Sequence, residues 1–313
     1  MNLQLYISNT FDPFLNLAVE GWLLDNCQAD TVTFYLWRND RTVVIGQNQN
    51  PYAECNVDLL ESEGGHLARR TTGGGAVFHD VQNLNFSFIA PKNLTDTRRN
   101  FQVIADALSS YGIEAAVSGR NDMQSAGRKF SGSAFHNSPT ASLHHGTILI
   151  NTDIALMQRY LTPNVSKLLK HGVKSVESRV VNLSELADIS VENLIPRLEQ
   201  SFKKIYGQNI HTADTDQLKP LVLHLRDKYA SDDWRFGKWK QFRSSVSGSF
   251  AWGSVDIALT LDGSSVVDCQ IASDSLDTDA IASAQHILLH HDALDNISSP
   301  IILDILNLVK SKI

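Results

Sequence analysis

The chain has 313 residues, 42% hydrophobic and 19% charged, with a net charge of −7. That is enough apolar content to fold and enough length for more than one domain, which excludes the disordered class. The acidic balance argues against a general nucleic-acid partner. No apolar run nears the roughly 20 residues that span a bilayer, so no membrane partner is expected.

The opening stretch MNLQLYISNT reads as a strand, without the basic and apolar regions of a signal peptide. Residues 32–46, VTFYLWRNDRTVVIG, read as two strands around an Asn-Asp turn, and VDLLESEG (57–64) as a short helix. HLARR leads into RRTTGGGAVFHD (69–80), and LNFSFIA (84–90) is a strand after it. A helix is expected over 97–112. DMQSAGRKFSGSAF (122–135) reads as two strands joined by a Gly turn, and SLHHGTILIN (142–151) as another. Val191, Leu194, Leu198, Phe202 and Ile205 repeat at helical spacing, with Pro196 expected to kink that helix or mark its first turns.

Residues 231–245, which carry Trp234 and Trp239, change character and form the candidate linker. Beyond it come a hairpin around Asp262-Gly263 and helices over about 277–290 and 300–311. Charge separates the two parts. Residues 245–313 hold nine Asp, no Glu and two Lys, a net of −7, so the first 244 are about neutral. Within those, residues 120–180 hold eight Lys or Arg against three acids, a stretch suited to an anionic ligand or to a solvated face. The expected fold is mixed α+β: a large catalytic domain of β-sheets with flanking helices (1–244) and a small α+β C-terminal domain (245–313).

Three adjacent glycines, Gly73, Gly74 and Gly75, can turn several backbone N–H groups to one side, a concavity that binds phosphate oxygens. They match neither G-x-x-x-x-G-K-[ST] nor G-x-G-x-x-G. Arg69 and Arg70 precede them; on a strand, neighbours face opposite ways, so at most one enters a site. A plain glycine turn is the alternative. On the strand GRKFSGSAF, alternation puts Lys129, Ser131 and Ser133 on one face and Phe130 and Ala134 on the other, with Gly132 open to close approach. Lys129 could equally protect a sheet edge. His144 or His145 could serve a site or be structural. His290-His291 lack ligands at metal spacing. Cys55 has no evident His partner and reads as a buried thiol. Cys27, Cys55 and Cys269 are too few and too scattered for a disulfide framework, which suits a cytoplasmic location.

These stretches, in this order, resemble lipoate–protein ligase A. RRTTGGGAVFHD, TVVIGQNQNPYAECN, GRKFSGSAF and HHGTILI carry the likeness. FDPFLNLAVE, SGRND, GVKSVESRVVNL and DDWRFGK support it. The resemblance implies the biotin/lipoate ligase fold and a two-step reaction. ATP, with Mg²⁺, activates (R)-lipoate to lipoyl-AMP, and the lipoyl group then passes to a lysine of apo lipoyl domains of 2-oxoacid dehydrogenase E2 subunits or of the glycine cleavage H protein. It implies a monomer without a prosthetic group. By the family pattern Arg70 and Gly75, Ala76, Val77 and Phe78 contact ATP, and Lys129 meets both the lipoate carboxyl and the α-phosphate. Gly74, Gly75 and His79 adjoin lipoate. Thr72, Gly73, Asp80, Asn121, Asp122, Ser131, Gly132 and His145 are supporting candidates, with Asp122 a candidate for Mg²⁺. Val44, Val77, Phe78 and Ala134 are expected to line the slot for the lipoyl tail. Gln47 and His136 stand where the family often has arginine, so Lys167, Lys170 or Lys174 could share phosphate neutralisation. A transferase without adenylation and a non-catalytic binder are the competing readings.

Overall fold

A computed structural model describes residues 1–119, 121–162, 180–237, 239, 244–262, 265–290 and 297–311. In chain order the elements begin β1 (Asn2–Ile7), α1 (Pro13–Asp25), β2 (Thr31–Trp37), β3 (Thr42–Ile45), α2 (Pro51–Glu54), α3 (Val57–Ser62), β4 (His66–Arg69), β5 (Val77–His79) and β6 (Asn83–Pro91). There follow α4 (Thr97–Ser109), β7 (Ala116–Ser118), β8 (Asp122–Ser125), β9 (Arg128–Asn137), β10 (Ala141–Leu149), α5 (Ile154–Tyr160), α6 (Val191–Tyr206), β11 (Ile210–Asp214), α7 (Lys219–Ala230) and α8 (Asp232–Arg235). The last are β12 (Ser244–Phe250), β13 (Gly253–Asp262), β14 (Ser265–Ser273), α9 (Thr278–His290) and α10 (Pro300–Lys310).

Eight strands form one sheet in the order β11-β1-β2-β6-β10-β9-β8-β7. The central strands β2 and β6 are buried along their whole length, as a sheet covered on both faces requires. One face packs on α4 and α6 around Phe34, Phe88 and Phe202, with the Phe34 and Phe88 rings stacked 4.3 Å apart. The other face packs on α1, α7 and a three-stranded sheet ordered β4-β3-β5. Local chemistry sets the helix starts. The Asp12 carboxylate accepts the N–H groups of Phe14 and Leu15 at 2.9 and 3.2 Å and Pro13 opens α1. Ser190 and Asn193 form a capping box on α6, which carries Pro196 in its interior.

The Asn-Asp turn does separate two strands, but they do not form a hairpin. β2 joins the large sheet while β3 pairs with β4 and β5. Both are fully buried runs, so no polar edge marks the change of sheet. The candidate linker is not featureless either. It holds α8, and β12 begins at Ser244; Trp234 donates its indole N–H to the Arg69 carbonyl at 2.8 Å. Trp234 thus packs, as its size suggested. β12, β13 and β14 form an antiparallel sheet that α9 and α10 cover with their own apolar cluster, around Ile257, Ile271 and Ile305. Asp262 ends β13; Gly263, the other half of the expected turn, lies outside the described residues.

Arg69 holds the small sheet to its surroundings. Its buried guanidinium donates to the carbonyls of Gln47 and Gln49, each at 2.8 Å, and to those of Trp234 at 2.9 Å and Arg235 at 2.7 Å. One side chain therefore ties β4, the loop after β3 and α8 together. Replacing it by leucine strips several buried carbonyls of a donor at once. Arg69→Leu is expected to cost about 3 kcal/mol, read as a lower urea midpoint at unchanged slope. An unchanged midpoint would show that the clamp carries no stability.

Candidate active site

β4 delivers Arg69 and Arg70 with opposite orientations. Arg69 turns to the clamp described above, and Arg70 turns to a cavity between the small sheet and the large one. Its donors are spent on the loop itself. Nε donates to Thr72 Oγ1 at 2.9 Å, Nη1 to the Val44 carbonyl at 3.1 Å, and Nη2 to the carbonyls of Gly73 and Gly75 at 2.7 and 2.8 Å. Arg70 thus shapes the glycine loop, and its charge reaches the cavity through that loop. Burial lowers its pKa only to about 10, so it remains a cation at neutral pH. Gly74 has φ +91°, a left-handed conformation that glycine adopts freely, and a Cβ there would lie 3.0 Å from Arg70 Nη2. Gly73 is closed in differently, because a Cβ would run into the Ser275 carbonyl.

Behind the loop lies a buried polar chain that begins on α1. Glu20 Oε1 accepts from the Ser87 hydroxyl at 2.5 Å and lies 2.8 Å from His145 Nδ1. His145 Nε2 is 2.8 Å from Thr72 Oγ1, the atom that Arg70 holds. Ser87 in turn accepts the Trp37 indole N–H at 2.9 Å. Glu20 is 2% exposed and was not among the expected site residues. Its signal was present: Asn16 and Glu20 stand four apart on a helix otherwise apolar over PFLNLAVE, one polar line on a buried face. Of the two histidines, His145 joins this chain. His144 points to the opposite core, among Phe86, Phe101 and Phe135, where burial lowers its pKa to about 3.

Lys129 enters the cavity because β9 carries a bulge. Gln124 pairs with Lys129 and Met123 with Ser131, which leaves Phe130 as the extra residue. Strict alternation grouped Lys129 with Ser131 and Ser133. The bulge overturns that: Ser131 sits opposite the core residue Met123, and Lys129 shares its face with Gly132, where a Cβ would lie 2.9 Å from Nζ. Lys129 Nζ is held 2.8 Å from Asp122 Oδ1 on the neighbouring strand. Asn121 donates its side-chain N–H to the Ser133 carbonyl at 2.6 Å and borders the same space.

The cavity has about 310 Å³. Leu17, Trp37, Val44, Val77 and Ala134 form apolar wall, and the backbone of Gly74, Gly75 and Ala76 forms the rim. Phe78 does not line it. Alternation on β5 sends Val77 and His79 inward and Phe78 to the far side of the small sheet, where it packs near Tyr160. His79 is fully enclosed, and burial, helped by Arg70 and His145, lowers its pKa to about 3. Asp80 orients the loop by accepting the backbone N–H groups of Gln82 and Asp153 at 2.9 and 2.7 Å. Gln47 contributes backbone, its N–H donating to the Thr72 carbonyl at 2.8 Å. Lys167, Lys170 and Lys174 lie outside the described residues. Cys55 is buried in another cluster, its thiol pushed up to about 12, as an inert thiol would be. Among the described residues no helix is long and apolar enough to cross a membrane.

A lysine and a glycine-rich rim at one end of an apolar slot define a protein that binds an acid with an apolar tail beside a polyanion. Comparison with known proteins makes this specific. Residues 12–203 match the lipoyl protein ligase A/B catalytic domain. The chain is 40% identical to lipoate-protein ligase A of Psychrobacter cryohalolentis over 90% of its own length and 86% of the relative's. Its fold is similar to that of P. falciparum LipL1 in complex with lipoate, with TM-score 0.81 and 33% identity over 91% of this chain and 89% of that one. It is also similar to a bi-partite lipoate protein ligase, studied with its E2 lipoyl domain, from Thermoplasma acidophilum (TM-score 0.67, 27% identity, 75% of this chain and 96% of that one). A lipoate-protein ligase A bound with ATP aligns at TM-score 0.66 and 26% identity, over 76% of this chain and 99% of that one. The chain belongs to the lipoyl protein ligase A/B family and is a lipoate–protein ligase.

The glycines of the rim differ in what they tolerate. Gly74→Ala forces a Cβ into a left-handed site beside Arg70 and is expected to cost about 1 kcal/mol or more of stability. At Gly75 a Cβ meets nothing within 4 Å and φ is unrestricted. Gly75→Ala should therefore leave the urea midpoint unchanged, and any loss of ATP–pyrophosphate exchange there reports close approach of ligand. A shared drop in midpoint for both variants would contradict this division.

Proposed function

We propose that the cavity activates lipoate with ATP and then passes the lipoyl group to a lysine of an apo lipoyl domain. The observation that carries the reading is Lys129 at one end of an apolar slot beneath the glycine rim. A carboxylate is a poor acyl donor, since its charge repels nucleophiles and oxide is a bad leaving group. In the first step a lipoate carboxylate oxygen attacks the α-phosphorus, and the bond to the β-phosphate oxygen breaks to release pyrophosphate. Two anions meet there, so a cation between them lowers the barrier. Lys129, a compact charge on a flexible stem, suits both the carboxylate and the α-phosphate, and leaves Asp122 to reach them. In the second step the acceptor lysine attacks the acyl carbonyl, AMP leaves, and the attacking nitrogen loses a proton. Lys129 then holds the carbonyl oxygen as negative charge grows on it.

Gly75, Ala76 and Val77 would lie against the nucleotide, with Arg70 supplying field rather than direct donors. Mg²⁺ would enter with ATP, and Asp122, freed when Lys129 turns to substrate, is our candidate ligand for it. The bound ATP of one relative and the lipoate of another support the substrate pair. The E2 lipoyl domain studied with a third supports lipoyl domains as acceptors. We extend the acceptors to the glycine cleavage H protein and take the working form as a cytoplasmic monomer. The decisive assay is lipoylation of an apo lipoyl domain with ATP and lipoate, read by mass. Transfer only from supplied lipoyl-AMP or an octanoyl donor would replace the ligase reading by a transferase one.

Lys129→Ala is expected to abolish both half-reactions with the fold intact, since one lost electrostatic donor costs about 3–4 kcal/mol and Lys129 serves twice. Lys129→Arg should also fail, because a planar fork does not follow the moving charge. Near-normal turnover by the alanine variant would remove Lys129 from the mechanism.

We also propose that residues 1–244 form the catalytic domain and 245–313 an accessory one. Two contacts motivate a coupled role. The Gly74 N–H donates to the Ser275 carbonyl at 3.2 Å, and the Ser273 N–H to the Asn48 carbonyl at 2.8 Å. The accessory unit thus takes up a donor of the rim itself, and must shift for that donor to serve a ligand. A chain ending near residue 244 should stay folded, lose most formation of lipoyl-AMP, and keep some transfer from supplied lipoyl-AMP. Undiminished adenylation by the truncated chain would refute the division of labour.

A further inference from the structure

The cavity crosses the large sheet from β9 to β2. Lys129 stands on β9 and Trp37 on β2, with β10 and β6 between them, so three interstrand steps of about 4.8 Å make a span of about 14 Å. The carboxyl of lipoate belongs at Lys129. Its dithiolane ring then lies toward Trp37, Asn85 and His79, which border the far end.

Among the described residues, the polar groups at that end are spoken for, with one exception. The Trp37 indole N–H goes to Ser87 at 2.9 Å. Both nitrogens of His145 are taken, by Glu20 and Thr72. His79 Nε2 is buried with no hydrogen-bond partner among the described residues. Ser133 Oγ is also unpartnered among the described residues, but Ser133 follows Gly132 on β9 and precedes Ala134, which faces the cavity, so its side chain turns to the opposite face.

The tautomer of His79 follows from its neighbours. Asn16 is fixed on both sides: its Nδ2 donates to the Arg38 carbonyl at 2.8 Å, and its Oδ1 accepts from the hydroxyls of Ser8 at 2.6 Å and Tyr35 at 3.0 Å. Asn16 Nδ2 also reaches Asn39 Oδ1 at 3.0 Å, so Asn39 must present Nδ2 to His79 Nδ1, 3.1 Å away. His79 Nδ1 is therefore an acceptor. Asn85 Nδ2, 3.4 Å from the same atom, adds a second donor. A neutral ring that accepts at Nδ1 carries its proton on Nε2. The wall at the far end of the slot thus holds an enclosed N–H with no acceptor among the described residues.

We propose that His79 Nε2–H donates to a sulfur of the dithiolane ring and is the residue that prefers lipoate over a plain medium-chain acid. This rests on the cavity being the lipoate site. An unmet buried donor is costly, and a divalent sulfur of the ring disulfide is a weak acceptor, whereas a methyl end is none. Octanoate leaves the N–H unpaired and lipoate satisfies it. Discrimination arises because the site penalises the ligand that lacks an acceptor.

The test compares three acids in ATP–pyrophosphate exchange by the full-length protein: lipoate, octanoate, and the cyclopentyl analogue in which both sulfurs are carbon. The analogue keeps the ring shape and removes only the acceptor. Wild type is expected to favour lipoate over the cyclopentyl analogue about fivefold to thirtyfold in kcat/KM. His79→Phe should bring the two within about twofold. In parallel, nitrogen NMR of ¹⁵N-histidine-labelled wild type should move the His79 Nε2 resonance with lipoate but not with the analogue. Equal kcat/KM for lipoate and the analogue in wild type, or an unmoved resonance, overturns the proposal without touching the ligase reading, and does so whether or not the variant folds. No exchange with any of the acids would instead overturn the ligase reading itself.

Discussion

Two adjacent guanidinium groups, both buried and both bonded to backbone carbonyls, hold the rest of the site in place. Neighbouring residues on a strand must face apart, so Arg69 and Arg70 serve opposite sides of the small sheet. Arg69 gathers the loop after β3 and the chain at α8. Arg70 gathers Val44, Thr72, Gly73 and Gly75. Carbonyls bent around a cation turn the N–H groups of the same peptides the other way, where that of Gly74 meets the Ser275 carbonyl. A glycine loop that would otherwise be one conformer among many is thereby fixed before any ligand arrives, and little entropy remains to be lost on binding.

That geometry explains why a buried carboxylate is present on α1. Burying two cations is costly, and backbone dipoles offset only part of it. Glu20 reaches the same cluster through His145 and Thr72 and supplies the opposite charge without touching Arg70 itself. The chain from Trp37 to Arg70 thus joins the wall at the far end of the slot to its rim. The substrate tail and the glycine loop rest on one hydrogen-bonded framework.

Lys129 is free of that framework, and its chemistry requires it to be. It has a partly exposed partner, Asp122, at 2.8 Å, on the strand next to the sheet's edge strand. A half-exposed ion pair is worth little, about 0–1 kcal/mol, so Lys129 can change partners at small cost. A rigid rim and a loosely held cation are complementary: one fixes where the anions sit, and the other follows charge as it moves.

The sequence by itself determined the inventory. Most strands and helices, the glycine run, Lys129 beside a small residue, and the charge contrast of the last 69 residues were all legible, because turn chemistry, periodicity and composition act locally. Tertiary structure decided how the inventory is used. Nothing local to VTFYLWRNDRTVVIG says that its two strands enter different sheets, since both are equally apolar. Alternation misplaced Lys129 relative to Ser131, because a bulge at Phe130 depends on the partner strand. Phe78, expected beside Val77 in the wall of the slot, faces away from it, because which face of β5 meets the cavity is set by pairing with β3. Arg70 could be read as a cation near glycines, but which acceptors take its donors depends on carbonyls brought from Val44 and Gly75. Glu20 and the tautomer of His79 are the clearest cases: both depend on side chains far apart in sequence, converging where water is absent and every donor must find an acceptor in the fold or in the ligand.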